Sequence, residues 1–302
     1  MRKNDYIRTD LASESDYFSS SERSKAEEKE EYSGIKCDKR STGGIPIFEL
    51  EVTSENGERI IGKKRGTYVT VDVGKVWLLD DAGFRAAACA LSAEILRMAS
   101  GIASLDNVLI AGLGNRYVTP DAVGPLTVKG IEVTRHIKDE EPGLYDSLFS
   151  TTVSAVEPGV VGQTGIETLE LIRGAVQNVS PSLVIVIDAL AARSVDRLAS
   201  TVQLTNTGIS PGSGIGNRRR EISRDTLGVP VIAIGVPTIV DSSTMVWDML
   251  ERAGAEEMSS VLRDELENGR SFFVSLKESD VAVNELSRLI STALNKIFER
   301  KS

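Results

Sequence analysis

Runs of consecutive apolar residues alternate along the chain with longer stretches in which apolar positions recur every three or four residues. Val108 to Ala111, Leu183 to Ile187 and Val231 to Gly235 are short runs rich in branched side chains, the pattern of strands buried on both faces of a parallel sheet. Thr151 to Val156 reads as a further strand, and Phe272 to Leu276 as another. Leu79 to about Ser100 has helical spacing, with Asp80 and Asp81 in its first turn and Gly101 just past its end, where acids and glycine respectively suit a helix. Gly165 to about Val179 and Val281 to Phe298 are amphipathic, and a helix follows Asp241 through Met249. Strands alternating with helices of this length predict an α/β fold: a mostly parallel sheet flanked by helices.

The N-terminal part differs. Residues 11–44 are polar and charged with little apolar period, which predicts a solvated arm. Phe48 to Val52 and Thr67 to Asp72 alternate, with Asn56-Gly57 as a turn signal between them. This predicts a β-hairpin layer over 45–75 added to a single domain spanning 45–302. Leu198 to Asn206 also alternates, and no internal repeat is evident.

Composition removes several function classes. A net charge of -9 argues against general nucleic-acid binding. No apolar run is long enough for a membrane span, and MRKNDYIRTD lacks the apolar core of a secretory signal, so a cytoplasmic location is expected. The two cysteines, Cys37 and Cys89, make no disulfide framework. Cys37 falls in the polar segment, and Cys89 lies in AAACALSAEIL, expected to be a buried helix face. His136 is the single histidine, which excludes a multi-histidine zinc site and leaves a Cys–His pair poorly supplied. No cofactor is expected.

Candidate chemistry gathers at two strand ends. The first run leads into Gly112-Leu113-Gly114-Asn115, then Thr119-Pro120-Asp121 and Gly124-Pro125. A helix can start here with Thr119 as cap and Pro120 first, or with Pro125 first. Either start puts Asp121 at or just ahead of a helix N-terminus, at the carboxyl edge of the sheet where open α/β folds place reacting groups. Tyr117 stands where a dinucleotide fingerprint needs its third glycine, and no Gly-Lys-Ser/Thr follows. Asp188 closes the second apolar run. Two readings stand for this pair. Each Asp caps a following helix, for which Ala189 to Ala192 is suited, or the two share a cleft. In a cleft one carboxyl keeps a proton and acts as acid while the other acts as base.

Gly208 to Arg220 is a glycine-rich loop ending in Arg218, Arg219 and Arg220. The arginines suit a carboxylate or phosphate, or are solvated charges of a surface loop. A nucleotide site there is weakened by Asn217, which stands where the fingerprint's last glycine belongs.

The blocks GLGNRYVTPDAVGP, VTRH, EPGVVGQTGIET, VIDALAAR and TGISPGSGIGNRR, spread over about 108–249, together resemble the germination proteases of spore-forming bacteria. The resemblance implies an atypical aspartic-type endopeptidase with a fold like the hydrogenase-maturation proteases. It implies catalytic roles for Asp121 and Asp188, and small acid-soluble spore proteins as substrates in the forespore or spore core. A homotetramer is expected on the same ground. The family is made as zymogens, cut after an Asp in a stretch like Arg8-Thr9-Asp10-Leu11-Ala12, so residues 1–10 are expected to be a propeptide cut between Asp10 and Leu11. Arg218, Arg219 and Arg220 are then candidates for reading an acidic residue of the substrate. The rival readings are a metal-dependent hydrogenase-maturation-type protease, for which a second histidine is lacking, and a nucleotide- or phosphate-binding module.

Overall fold

The computed structural model describes residues 8–15, 34–101, 104–213, 219–254, 259–268 and 272–299. The strands are β1 Ile35–Thr42, β2 Ile45–Val52, β3 Gly66–Asp72, β4 Asn107–Gly112, β5 Thr152–Val156, β6 Leu183–Ala192, β7 Thr201–Thr205, β8 Val231–Asp241 and β9 Phe273–Val274. Helices of seven or more residues are α1 Glu55–Ile61, α2 Asp81–Ser100, α3 Val123–Lys129, α4 Pro142–Leu148, α5 Thr168–Val179, α6 Ser242–Arg252, α7 Ser260–Asn268 and α8 Ser279–Phe298.

All nine strands join one sheet, ordered β1-β2-β3-β7-β8-β6-β4-β5, with β9 on β8. Only β8-β6-β4-β5 is parallel; every other pairing is antiparallel. The fold is α/β as expected, but the sheet is mixed rather than mostly parallel. The N-terminal strands extend this sheet at one edge and form no separate layer.

The central strands are apolar throughout because both faces are covered. Val108, Ile110, Leu183, Ile185 and Ile187 face a core shared with α2, α3 and α8, while Leu109, Ala111, Val184 and Val186 face one shared with α5. Alternate residues of a strand point to opposite faces, so consecutive apolar positions fill two cores at once. Each fully buried Leu or Ile there is worth about 1.5–3 kcal/mol. Asp80 caps α2 by accepting the Gly83 N–H at 2.8 Å, and Gly101 ends the helix.

Four local expectations need correction. Asn56-Gly57 makes no hairpin turn: Ser54 accepts the Gly57 N–H at 3.1 Å and caps α1, so a helix joins β2 to β3. The expected flexible arm holds ordered structure at both described ends, since Ile35–Thr42 forms β1 and Leu11 is fully buried. Cys37 therefore lies in a strand, and Cys89 is exposed on α2 with the Lys296 ammonium 2.9 Å away. Neither Thr119 nor Pro125 opens the helix after β4. Thr119–Asp121 is one 3-10 turn, and α3 begins separately at Val123.

Candidate active site

The corner after β4 is built from backbone contacts that only glycine permits. Leu113 N–H donates to the carbonyl of Ile187 at 2.8 Å, which ties this corner to the residue before Asp188. Gly124 lies against both strands: a Cβ there would sit 2.3 Å from the Leu113 carbonyl oxygen and 2.6 Å from that of Ile187. Gly114 has φ +107°, and a Cβ would meet the Asp121 carbonyl oxygen at 2.0 Å. This conformation and this approach both require glycine. The turn folds Asp121 back so that its carboxylate accepts the Asn115 N–H at 2.7 Å.

Asp188 does not end β6. It lies inside the strand, paired with Gly235 of β8, and Ala189 to Ala192 continue as strand rather than helix. The helix-capping reading of Asp188 is thereby removed. Its side chain is 5 % exposed and accepts the Ala189 N–H at 2.9 Å.

Asp121, Asp188 and Asp10 line one cavity of about 360 Å³. Burial holds the Asp121 carboxyl above its ordinary value, against the opposing Asn115 N–H. Asp188 is held well above the carboxylate range by burial first, then by the charges of Asp121 and Asp10, with the Ala189 N–H opposing. Desolvation and a like charge both disfavour ionisation. A pair so arranged retains a proton on its more buried member where an isolated aspartate would have lost it, which is the condition for general acid–base work.

All of the sequence blocks except VTRH meet here. Arg116 forms an ion pair with Glu157, Gln163 donates to the Asn115 side chain at 3.0 Å, and Arg219 lies 3.5 Å from Glu167. Arg219 lines the cavity; Arg220 is 3.7 Å from Glu170 of α5; Arg218 lies outside the described residues. His136 is exposed on the turn Arg135–Glu140 and does not line the cavity. Among the described residues no group of three or more His, Cys, Asp or Glu side chains is arranged to hold a metal ion.

The N-terminal segment is docked against the same site. Asp10 pairs with Ala191 beyond Asp188, and its carboxylate also accepts the Ser213 hydroxyl at 2.7 Å. Leu11 is fully buried with Leu190, Ala192, Leu198 and Val240. Glu14 accepts the backbone N–H groups of Arg193 at 2.6 Å and Ser194 at 3.0 Å. Met1 to Ile7 lie outside the described residues. Sequence reasoning missed Asn115, Ser213, Lys63 and Gln203 as groups that touch Asp121 or this segment. Asn115 and Ser213 stood inside motifs already singled out, whereas Lys63 and Gln203 carried no signal.

Asp188, buried, and Asp121, half-buried, thus share one cavity beside the end of β4, an arrangement able to support acid–base chemistry. Residues 12–256 match the family model described as germination protease. The chain is 44 % identical over 265 residues to the germination protease of Clostridium acetobutylicum, covering 87 % of this chain and 78 % of that one. It is 38 % identical over 311 residues to the germination protease of Caldanaerobacter subterraneus subsp. tengcongensis, covering 96 % and 93 %. A [NiFe] hydrogenase maturation protease, HycI from Thermococcus kodakarensis, superposes with TM-score 0.36 and 14 % identity over 67 % of this chain and 98 % of that one. The chain belongs to the germination protease family and is a peptidase. No helix among the described residues is long and apolar enough to cross a membrane.

Proposed function

We propose that the protein is an endopeptidase that opens the degradation of small acid-soluble spore proteins, with Asp121 and Asp188 as its acid–base pair. The observation that carries this reading is the cavity shared by the two raised carboxyls, with an Asp-containing peptide segment seated against it. Asp188, the more deeply buried, holds the proton; Asp121, ionised, takes a proton from the attacking water. Asp188 gives its proton to the carbonyl oxygen as the tetrahedral adduct forms. Asp121 then gives its proton to the leaving amine as the C–N bond breaks, and a hydroxyl of the adduct returns a proton to Asp188.

On this reading the protein is made as a precursor and removes residues 1–10 by cutting between Asp10 and Leu11. Arg219, which lines the cavity, and its sequence neighbours Arg218 and Arg220 are the carboxylate-binding groups of this reading, which suits acidic substrates. The expected assembly is a homotetramer and the expected place of action the spore core. Incubating the shortened protein with purified small acid-soluble spore proteins, with and without a chelator, tests the substrate and the metal-free mechanism together. Internal cuts after acidic residues, unaffected by the chelator, are the expected result. Intact substrate, or cutting abolished by the chelator, contradicts it.

A further inference from the structure

The residue beside the proposed processing bond is gripped by Ala191 and Ser213, which lie in the sequence blocks, and by Lys63 and Gln203, which lie outside them. Asp10 donates its N–H to the Ala191 carbonyl at 2.9 Å and accepts the Ala191 N–H on one carboxylate oxygen at 2.9 Å. The other oxygen takes the Ser213 hydroxyl at 2.7 Å. From the opposite side the Lys63 ammonium donates to the carbonyls of Thr9 at 3.3 Å and Asp10 at 3.0 Å. Gln203 bridges the bond, with its amide nitrogen 3.4 Å from the Asp10 carbonyl and its oxygen accepting the Ala12 N–H at 2.8 Å. The side chain and carbonyl of Asp10 and the N–H of Ala12 are therefore all read at once. An extended peptide of any sequence can offer the last two, whereas only an acidic residue can offer the first.

The cations near Asp10 are not equivalent. Lys64 is paired with Glu221 at 2.6 Å, and Arg219 lies 3.5 Å from Glu167. Arg8 belongs to the segment itself and lies 3.8 Å from Asp241. Lys63 makes its hydrogen bonds to the docked segment, and the charges of Asp10 and Glu14 offset the burial that draws its ammonium below the ordinary lysine range. It sits just past α1, after Gly62 in the left-handed conformation at φ +74°. When residues 1–10 depart, Lys63 loses both carbonyl partners and is left facing the neighbouring cavity that Gln203 and Ser213 also line.

We infer that Ser213 and the Ala191 N–H form the subsite that selects an acidic residue on the N-terminal side of the cut bond, and that Lys63 aligns the peptide there by its carbonyls. The inference rests on the reading that Asp10-Leu11 lies as a substrate would. The occupant is an aspartate or glutamate in an extended peptide. Ser213 and the Ala191 N–H bind its carboxylate, and Lys63 holds its carbonyl.

The test uses the shortened full-length protein and two peptides that differ only by Glu or Gln before the cut bond. Wild type prefers Glu. Ser213→Ala should lower kcat/KM for the Glu peptide by about 10–100-fold, mainly through KM, the range that a lost hydrogen bond to a charged group gives. The Gln peptide should change by no more than about threefold, and Ser213→Thr should recover much of the preference, whereas Lys63→Gln should weaken both peptides alike. An unchanged Glu preference in Ser213→Ala, or an equal loss on both peptides, overturns the assignment of Ser213. Failure of the docking reading looks different: the wild-type precursor is then not cut at Asp10-Leu11, or wild type does not distinguish the peptides.

Discussion

Asp10 and Ala191 exchange two hydrogen bonds at 2.9 Å each, one from the Asp10 N–H to the Ala191 carbonyl and one from the Ala191 N–H to the Asp10 carboxylate. Ala191 lies three residues beyond Asp188 on the same strand. The strand that carries Asp188 thus also aligns the segment around Asp10. That arrangement places a candidate processing bond next to the carboxylates proposed to cut it.

Processing should follow from this placement. Precursor brought to mildly acidic pH is expected to lose Met1 to Asp10 and begin at Leu11, read by intact mass. Asp121→Asn or Asp188→Asn precursor should keep its full length. Normal trimming in either variant would assign the cut to another protease.

The pH dependence has a definite sign. Rates should fall at low pH as Asp121 gains a proton and at high pH as Asp188 loses its own. Both carboxyls are raised, so the bell lies above the range of ordinary aspartates. The Asp10 charge is one cause of the raised Asp188. Asp10→Asn should therefore move the high-pH limb of precursor self-cleavage to lower pH. An upward move would contradict the electrostatic assignment.

Stability carries the same signature. A carboxyl raised in the folded state is harmless below its unfolded pKa and destabilises progressively as pH rises through its folded one. Asp188→Asn should thus raise Tm at neutral pH, by about 2–4 °C per kcal/mol relieved. The gain should shrink toward zero below the ordinary carboxylate range. Calorimetry at both pH values reads it, and a gain that grows on acidification would refute the burial argument.

Gly124→Ala probes the corner. Its Cβ would press on the backbone of Leu113 and Ile187 at 2.3–2.6 Å, and strained insertions of this kind cost about 1–3 kcal/mol or more. A lowered Tm together with a lowered kcat is expected, since the same contacts set the spacing of Asp121 and Asp188. Full activity at unchanged Tm would mean that the corner adjusts freely.

Much of this was legible in the sequence where one physical signal dominated. The runs that became β4, β6 and β8 could only be strands covered on both faces, and Asp80 and Gly101 marked the bounds of α2. β1 was hidden because Lys36, Asp38, Lys39 and Arg40 are exposed or half-exposed on an edge strand, so no apolar run announces it. β6 runs on past its branched residues because Ala189 to Ala192 pair with β8, a tertiary choice that alanine's helix preference conceals. At the site, Asp121 showed as an acid after a strand end and Asp188 as the acid closing an apolar run, although β6 continues past it. The grip of Lys63 and Gln203 on the segment could not show, because residues far apart in sequence meet there only through the order of β3, β7 and β8.

The most direct test of the central claim is the turnover number of Asp188→Asn on an acidic peptide, measured beside wild type with folding checked by circular dichroism. Loss of a general acid predicts a fall of about 10²–10⁴-fold in kcat, matched by Asp121→Asn. A folded Asp188→Asn protein that turns over at the wild-type rate would contradict the paired-carboxylate mechanism.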